Sequence, residues 1–347
     1  MQKRLLFVIF LIFLVGCTSS EKTILEVPDS NIENLSHAEE VGDEILDHEE
    51  EKVGRDNQQK IFRTEIPTEA ERENLPSCDN AQFTTYPVDM DEVTAITPLG
   101  NLGPPGHTFP TQHPHLHFDR TGRSFDIVSP TDVFLTTVAW SDGASSDPRD
   151  YTVYFALCKD VIGYYNHIKT ISPELQSVLD GYECESFSTG HGCTKVLDLD
   201  NFEEGKLMGT VGLKQGNWDF GLIDLRKPLN FIKPLRYPER DRYLQCAFDY
   251  YPQEMKDKFY SLIERYDGSC GEVMQDVPMT IKGNWFHESA DDEYVVDWNV
   301  YLAFVDHFEF ANVQVVSIAG KFTDPSLFHF KPRDTGNINR NFAQVTP

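Results

Sequence analysis

The sequence predicts a mainly β protein interrupted by two short helices. Two segments carry the prediction. DYTVYFALC (150–158) alternates, with Val153, Phe155 and Leu157 on one face, and VVDWNVYLAFV (295–305) puts Val296, Trp298, Val300, Leu302 and Phe304 on one face at period two. VFLTTVAW (133–140) and VQVVSIAG (313–320) also read as strands. The first helix opens at Ser172-Pro173, a capping residue before a first-turn proline, and stops by Gly181. The second spans 252–266, with Met255, Phe259, Leu262, Ile263 and Tyr266 on one stripe before Asp267-Gly268. RKPLNFIKPLRYPERDR (226–242) is rich in proline and charge, so a boundary falls near 236. This gives a β domain over 78–235 and a smaller β-rich C-terminal domain over 236–347, the latter with one helix.

The first residues have a different character. Lys3 and Arg4 precede an apolar run from Leu5 to Val15, the charged and apolar parts of an export signal and too short to span a bilayer comfortably. The run ends in Leu14-Val15-Gly16-Cys17, which resembles the lipobox of bacterial lipoproteins. That resemblance implies that residues 1–16 are a signal peptide and that Cys17 is acylated, with palmitate among its chains. Several acyl chains, at about 0.8 kcal/mol per buried methylene, hold a protein on a membrane without a spanning helix. The expected location is therefore exported and membrane-anchored, facing the periplasm or the cell exterior. Residues 17–77 read as an acidic, disordered tether, because Thr18–Ser77 holds seventeen acidic against six basic residues and few aromatics. A surface helix over 38–52 is the alternative for part of it. A net charge of −26 argues against nucleic acid or other anionic polymers as partners.

Beyond Cys17 there are six cysteines, an even number in a chain read as exported: Cys78, Cys158, Cys184, Cys193, Cys246 and Cys270. Six cysteines allow fifteen pairings. Proximity pairs Cys184 with Cys193 and Cys246 with Cys270, leaving Cys78 for Cys158. No CxxC zinc pattern occurs.

GPPGHTFPTQHPHLHF (103–118) holds four of the eleven histidines: His107, His113, His115 and His117. Imidazoles at this density are candidate metal ligands, with hydrogen bonding inside a polar loop as the alternative. On a regular strand, His113, His115 and His117 share a face. Pro114 removes one ladder donor and argues for an edge or a bulge. His107 reaches the group only through the GPPGH turn.

Residues 113–223 resemble the β-sheet core of lysostaphin-type zinc endopeptidases, which cut peptide cross-links in bacterial cell walls. That family opens with His-x-x-x-Asp, and His113-Pro-His115-Leu-His117 has a histidine where the aspartate stands. VSPTDVFLTTVAW follows as in the family's next strand. Tyr164, Tyr165 and His167 match its tyrosine–histidine motif, which implies a catalytic role for His167. Residues Gly205–Gly212 match its GxxIGxvG stretch. The family closes on His-x-His, whereas this chain has Trp218, Asp219 and Phe220, and no histidine occurs between His191 and His287. The resemblance thus implies a lysostaphin-type antiparallel β-sheet domain with a degenerate site, in which Tyr165, Trp218, Asp219 and Phe220 line the old groove.

A zinc hydrolase needs three protein ligands and an open position. Without the terminal histidine no cofactor is expected, zinc being the one the cluster could take. The expected function is an inactive, peptidoglycan-endopeptidase-like module that binds cell-wall peptidoglycan or an envelope protein. The alternatives are an active zinc endopeptidase and a metal-binding lipoprotein, both using His113, His115 and His117. DLDNFEEG (198–205) lacks calcium-loop spacing, and no GxSxG, Walker or dinucleotide motif is present.

Overall fold

A computed structural model describes residues 66–141, 149–180, 185–187, 190–213, 215–290 and 297–332. Cys17, most of the acidic segment, the helix alternative over 38–52 and the Cys184–Cys193 pairing lie outside the described residues. The strands, in chain order, are β1 (Ala95–Thr97), β2 (His115–His117), β3 (Ser124–Val128), β4 (Val133–Ser141), β5 (Asp150–Cys158), β6 (Val161–Ile168), β7 (Thr170–Ile171) and β8 (Glu185–Phe187). They continue with β9 (Gly190–Phe202), β10 (Leu207–Gly212), β11 (Asn217–Asp224), β12 (Leu244–Gln245), β13 (Gly283–Phe286), β14 (Tyr301–Asp306), β15 (Gln314–Ile318) and β16 (Ser326–Phe330). The α-helices are α1 (Glu69–Arg72), α2 (Pro173–Leu179) and α3 (Gln253–Tyr260).

The chain is mainly antiparallel β, as its alternation predicts. The large sheet runs β1-β2-β11-β6-β5-β4-β9-β8, with β12 also on β11. Beside it lie β3-β10-β7 and, nearer the C-terminus, β13-β14-β15-β16. One core fills the space under the large sheet, with Phe83, Leu116, Phe155, Tyr165, Trp218, Phe220, Phe248 and Phe259 all essentially without exposure. Residues after 236 contribute to it: Phe248 and Phe259 stack at 4.4 Å, and Phe220 lies against Phe248. A smaller core of Leu102, Ala303, Val305 and Val315 sits under the four-stranded sheet.

Three local differences from the sequence reading have physical causes. The sequence runs the tether to Ser77, but residues 66–77 are ordered. Thr68 and Glu71 form a capping box that starts α1, Arg72 donates to the Lys159 carbonyl and pairs with Asp160, and Leu75 is buried. The second helix ends at Tyr260 instead of 266. There the backbone turns to serve β1: Ile96 donates to the Leu262 carbonyl at 2.8 Å, and Glu264 donates to the Ile96 carbonyl at 3.0 Å. On β14 the predicted face is inverted. Trp298–Val300 form a 3-10 turn that shifts the phase, so Ala303 and Val305 face the core while Leu302 and Phe304 are half-buried and Trp298 is exposed.

Ser172 caps α2 by accepting from the Leu175 amide, as the Ser-Pro pair predicts. The pairings Cys78–Cys158 and Cys246–Cys270 are formed, closing 80 and 24 residues of sequence separation. Each closure of this length stabilises a chain by about 3–5 kcal/mol in the loop-entropy account.

Packing requires a glycine at 221. The Tyr164 ring on β6 lies flat over Gly221 on β11, where a β-carbon would overlap its Cζ. Gly221→Ala is expected to cost about 1–3 kcal/mol by overpacking, read as a lower urea midpoint with an unchanged slope.

Candidate metal centre

The site is built by alternation on three neighbouring strands. In a strand, successive side chains point to opposite faces. On β2, Leu116 points into the core and is fully buried, so His115 and His117 point the other way. On β11, Trp218 and Phe220 point into the core, so Asp219 joins the histidine face. The register places His115 directly opposite Asp219 and Leu116 opposite Trp218. His113, two residues before His115, falls on the same face, and the carbonyl of the intervening Pro114 accepts from the Phe220 amide.

His167 reaches that face by a bulge. On β6, Tyr165 points into the core, which by strict alternation would send His167 there too. The register with β5 slips between Val153↔Tyr165 and Tyr151↔Ile168, inserting one residue at Asn166–His167. His167 takes the left-handed conformation at φ 63°. Ile168 then occupies the core position, and His167 is turned towards Asp219. Bulges next to functional sites commonly re-aim a side chain in this way, and a non-glycine residue at positive φ stores strain that the surroundings must hold.

Asp219 is the hub. Its carboxylate has no exposure. His115 Nδ1 lies 2.7 Å from Oδ1, His113 Nδ1 lies 3.3 Å from Oδ2, and His167 Nε2 lies 3.1 Å from Oδ2. Asn217 donates to Oδ1 at 3.5 Å. Behind His167, Asp150 Oδ2 lies 2.7 Å from its Nδ1. Burial works against a charge on Asp219, but His113, His167 and His115 hold its pKa well below the usual carboxylate range. Burial pushes His113 down to about 3, so it is neutral at ordinary pH. His167 goes the other way: burial opposes its charge, and Asp219 and Asp150 outweigh that and raise it to about 10.

The donor atoms of His113, His115 and Asp219 all lie within 4.8 Å of one another. His113 Nδ1, His115 Nε2 and Asp219 Oδ2 are buried without a hydrogen-bond partner of proper geometry. Three orphaned polar atoms in one place are costly unless something satisfies them, and two imidazoles with one carboxylate are a donor set zinc takes in catalytic sites. The residues therefore fit the ion that the resemblance implies.

The other residues flagged in the sequence separate. His107 is half-buried, its ring centre 6.2 Å from that of His113 and 6.4 Å from that of His115, outside the trio. It is carried by a small hairpin in which Gly103 and His107 exchange both backbone hydrogen bonds. His117 is further along β2 and is hydrogen-bonded to Thr97 Oγ1 at 2.8 Å. Burial is the largest cause lowering the pKa of both. The placement of Tyr165, Trp218 and Phe220 in a groove is corrected: all three are core residues on the opposite face, and Tyr165 packs edge-on against Trp218 and Phe220 at 4.8 and 5.0 Å. Asp219 alone of that group faces the histidines. Asp150 was not singled out by the sequence, since the strand pairing that brings it to His167 leaves no local motif.

No protein-family model matches this chain, and no curated protein does. Among solved structures it is similar to Csd3 of Helicobacter pylori, with 12% identity and a TM-score of 0.27 over 52% of this chain and 39% of that one. It is also similar to the SpoIIQ–SpoIIIAH pore-forming complex, with 10% identity and a TM-score of 0.28 over 51% of this chain and 98% of that one. A third similar structure is a zinc-containing peptidase from Vibrio cholerae, with 12% identity and a TM-score of 0.26 over 43% of this chain and 38% of that one. The chain thus spans less than half of the Csd3 and Vibrio cholerae chains it matches. Scores of this size settle no kinship, and the site stands on its own geometry.

Proposed function

We propose that this protein is an exported, lipid-anchored envelope protein that binds zinc through His113, His115 and Asp219 and works on or against cell-wall peptidoglycan. The observation that carries the metal reading is that donor atoms of the buried His113, His115 and Asp219 converge within 4.8 Å, with His113 Nδ1, His115 Nε2 and Asp219 Oδ2 making no hydrogen bond. A zinc ion held there would supply Lewis acidity, polarising a carbonyl and lowering the pKa of water towards about 7. His113, kept neutral by burial, is ready to donate a lone pair.

A second reading, a zinc-dependent hydrolase of peptide cross-links, is favoured by His167. Its Nε2 faces the centre and its Nδ1 is held by Asp150. A histidine oriented by a carboxylate can take or give a proton beside the bond being cut. The expectation of a vestigial site rests on the missing terminal histidine; Asp219 offers a ligand at that place. The binding-module reading and the hydrolase reading share the metal and differ in whether His167 moves protons.

The ligand set is tested by zinc titration of the metal-free protein. One equivalent is expected to bind wild type and raise its melting temperature, as mass action requires. His113→Ala, His115→Ala and Asp219→Ala should each lose that binding, whereas His117→Ala should keep it. Retention in Asp219→Ala would sink the proposed set.

Release of soluble fragments from purified cell walls then separates the two readings. Chelator-sensitive release that disappears in His167→Gln identifies a hydrolase. Zinc binding with no release identifies a metal-containing binding module.

Anchoring rests on the lipobox at Leu14–Cys17. Cys17→Ser is expected to move the protein out of the membrane fraction while leaving zinc binding intact. A serine variant that stays wholly with membranes rules acylation out.

A further inference from the structure

Lys169 is a charged group that the site described above does not use. Its side chain is 1% exposed, and its Nζ is buried with no hydrogen-bond partner. Lysine is almost never fully buried unless paired, because its ammonium loses its hydration. The group it faces is Asp150 Oδ1, at 3.7 Å. That oxygen is itself buried without a hydrogen-bond partner. The other oxygen of the same carboxylate, Oδ2, is the one at 2.7 Å from His167 Nδ1.

The strand pairing explains the arrangement. Tyr151 lies opposite Ile168, and both point into the core. Their neighbours Asp150 and Lys169 therefore face each other on the histidine side. The bulge at Asn166–His167 brings His167 to that same side, two residues from Lys169. Lys169 is pinned in place by its own amide, which donates to the Thr210 carbonyl at 2.7 Å. One carboxylate thus has a cation at one oxygen and an imidazole at the other.

We infer that Lys169 is a positioning residue: it fixes the plane of the Asp150 carboxylate and, through it, the orientation of the His167 ring towards Asp219. The two oxygens of a carboxylate are rigidly related, so holding Oδ1 leaves Oδ2 a single place. Without the ammonium, the carboxylate of Asp150, which is about a quarter exposed, turns freely and offers His167 Nδ1 either oxygen or none. Stability alone does not account for the lysine, since an apolar residue of similar volume often replaces a buried ion pair at little or no loss. Orientation of an imidazole by a carboxylate behind it is a recognised contribution to proton transfer and to metal sites. The inference rests on the metal-centre reading for its purpose, while its geometry is independent of any metal.

The experiment uses the full chain, metal-free, with 15N-labelled histidine. The His167 Nδ1–H, identified by its loss in His167→Gln, is expected as a downfield proton signal that exchanges slowly with water. Lys169→Met keeps the volume of the stem and removes the charge. It is expected to keep native circular dichroism and to lose the signal, or to exchange it at least about tenfold faster. Lys169→Arg, which retains a cation, should restore it. A folded Lys169→Met protein with an unchanged His167 signal overturns the inference and leaves Lys169 a structural residue. Should the methionine variant fail to fold, Lys169→Gln is read by the same criterion. Absence of zinc binding in wild type would defeat the metal reading and leave this result standing, and the converse holds.

Discussion

A carboxylate with no exposed surface, Asp219, sets the terms for everything around it. An ion deprived of water must find compensation nearby or lose its charge. Here His115 on β2 and the charged His167 at the bulge of β6 supply it, at 2.7 and 3.1 Å, with the neutral His113 beside them. The compensation depends on strand register. A slip of one residue on β11 would exchange Asp219 for Trp218 or Phe220, putting an aromatic ring among the imidazoles and a charge into hydrocarbon. The register is held from the other face, where Trp218 and Phe220 lock into Tyr165, Phe83 and Tyr251. The chemistry and the core are opposite sides of one strand.

Within this arrangement, residues of one type are driven to opposite states. His113 is buried with its nearest carboxylate shared among several rings, and desolvation wins. His167 stands between two carboxylates, one at each nitrogen, and their charge wins. A neutral imidazole can be a ligand and a charged one can deliver a proton. The two roles the site would need are thus divided by how many carboxylates each ring can reach, a matter of strand geometry more than of residue identity.

The strand content and the location of the histidines were legible in the sequence, because alternation and residue clustering are local. So was the cap of α2. The face of β14 was not, because one 3-10 turn at Trp298–Val300 changes the phase of an otherwise regular pattern. The end of α3 was not, because it is set by hydrogen bonds to Ile96, more than 160 residues away. At the site, Asp219 was visible, but its place among the three histidines was not. An acid between two large aromatics on a strand is itself a signal: if Trp218 and Phe220 fill the core, the residue between them must face the other way. Asp150 and Lys169 could not be found by local reading, as they meet His167 only through strand pairing.

The Cys78–Cys158 bond ties the segment between α1 and β1 to the end of β5, which lies between β4 and β6 inside the large sheet. A tension applied to the chain at residue 66 therefore bypasses the three-residue outer strand β1 and enters the sheet at an interior strand. There two long ladders, to β4 and to β6, share the load at once. Reducing that single bond would leave the same pull to non-covalent contacts ahead of β1: Arg72 on Lys159 and Asp160, the Lys159 amide on the Pro76 carbonyl, and the amides of Phe83, Thr84 and Thr85 on Tyr250 and Pro130. The redox state of one pair of sulfur atoms would thus decide whether that pull meets a covalent bond or hydrogen bonds and an ion pair alone.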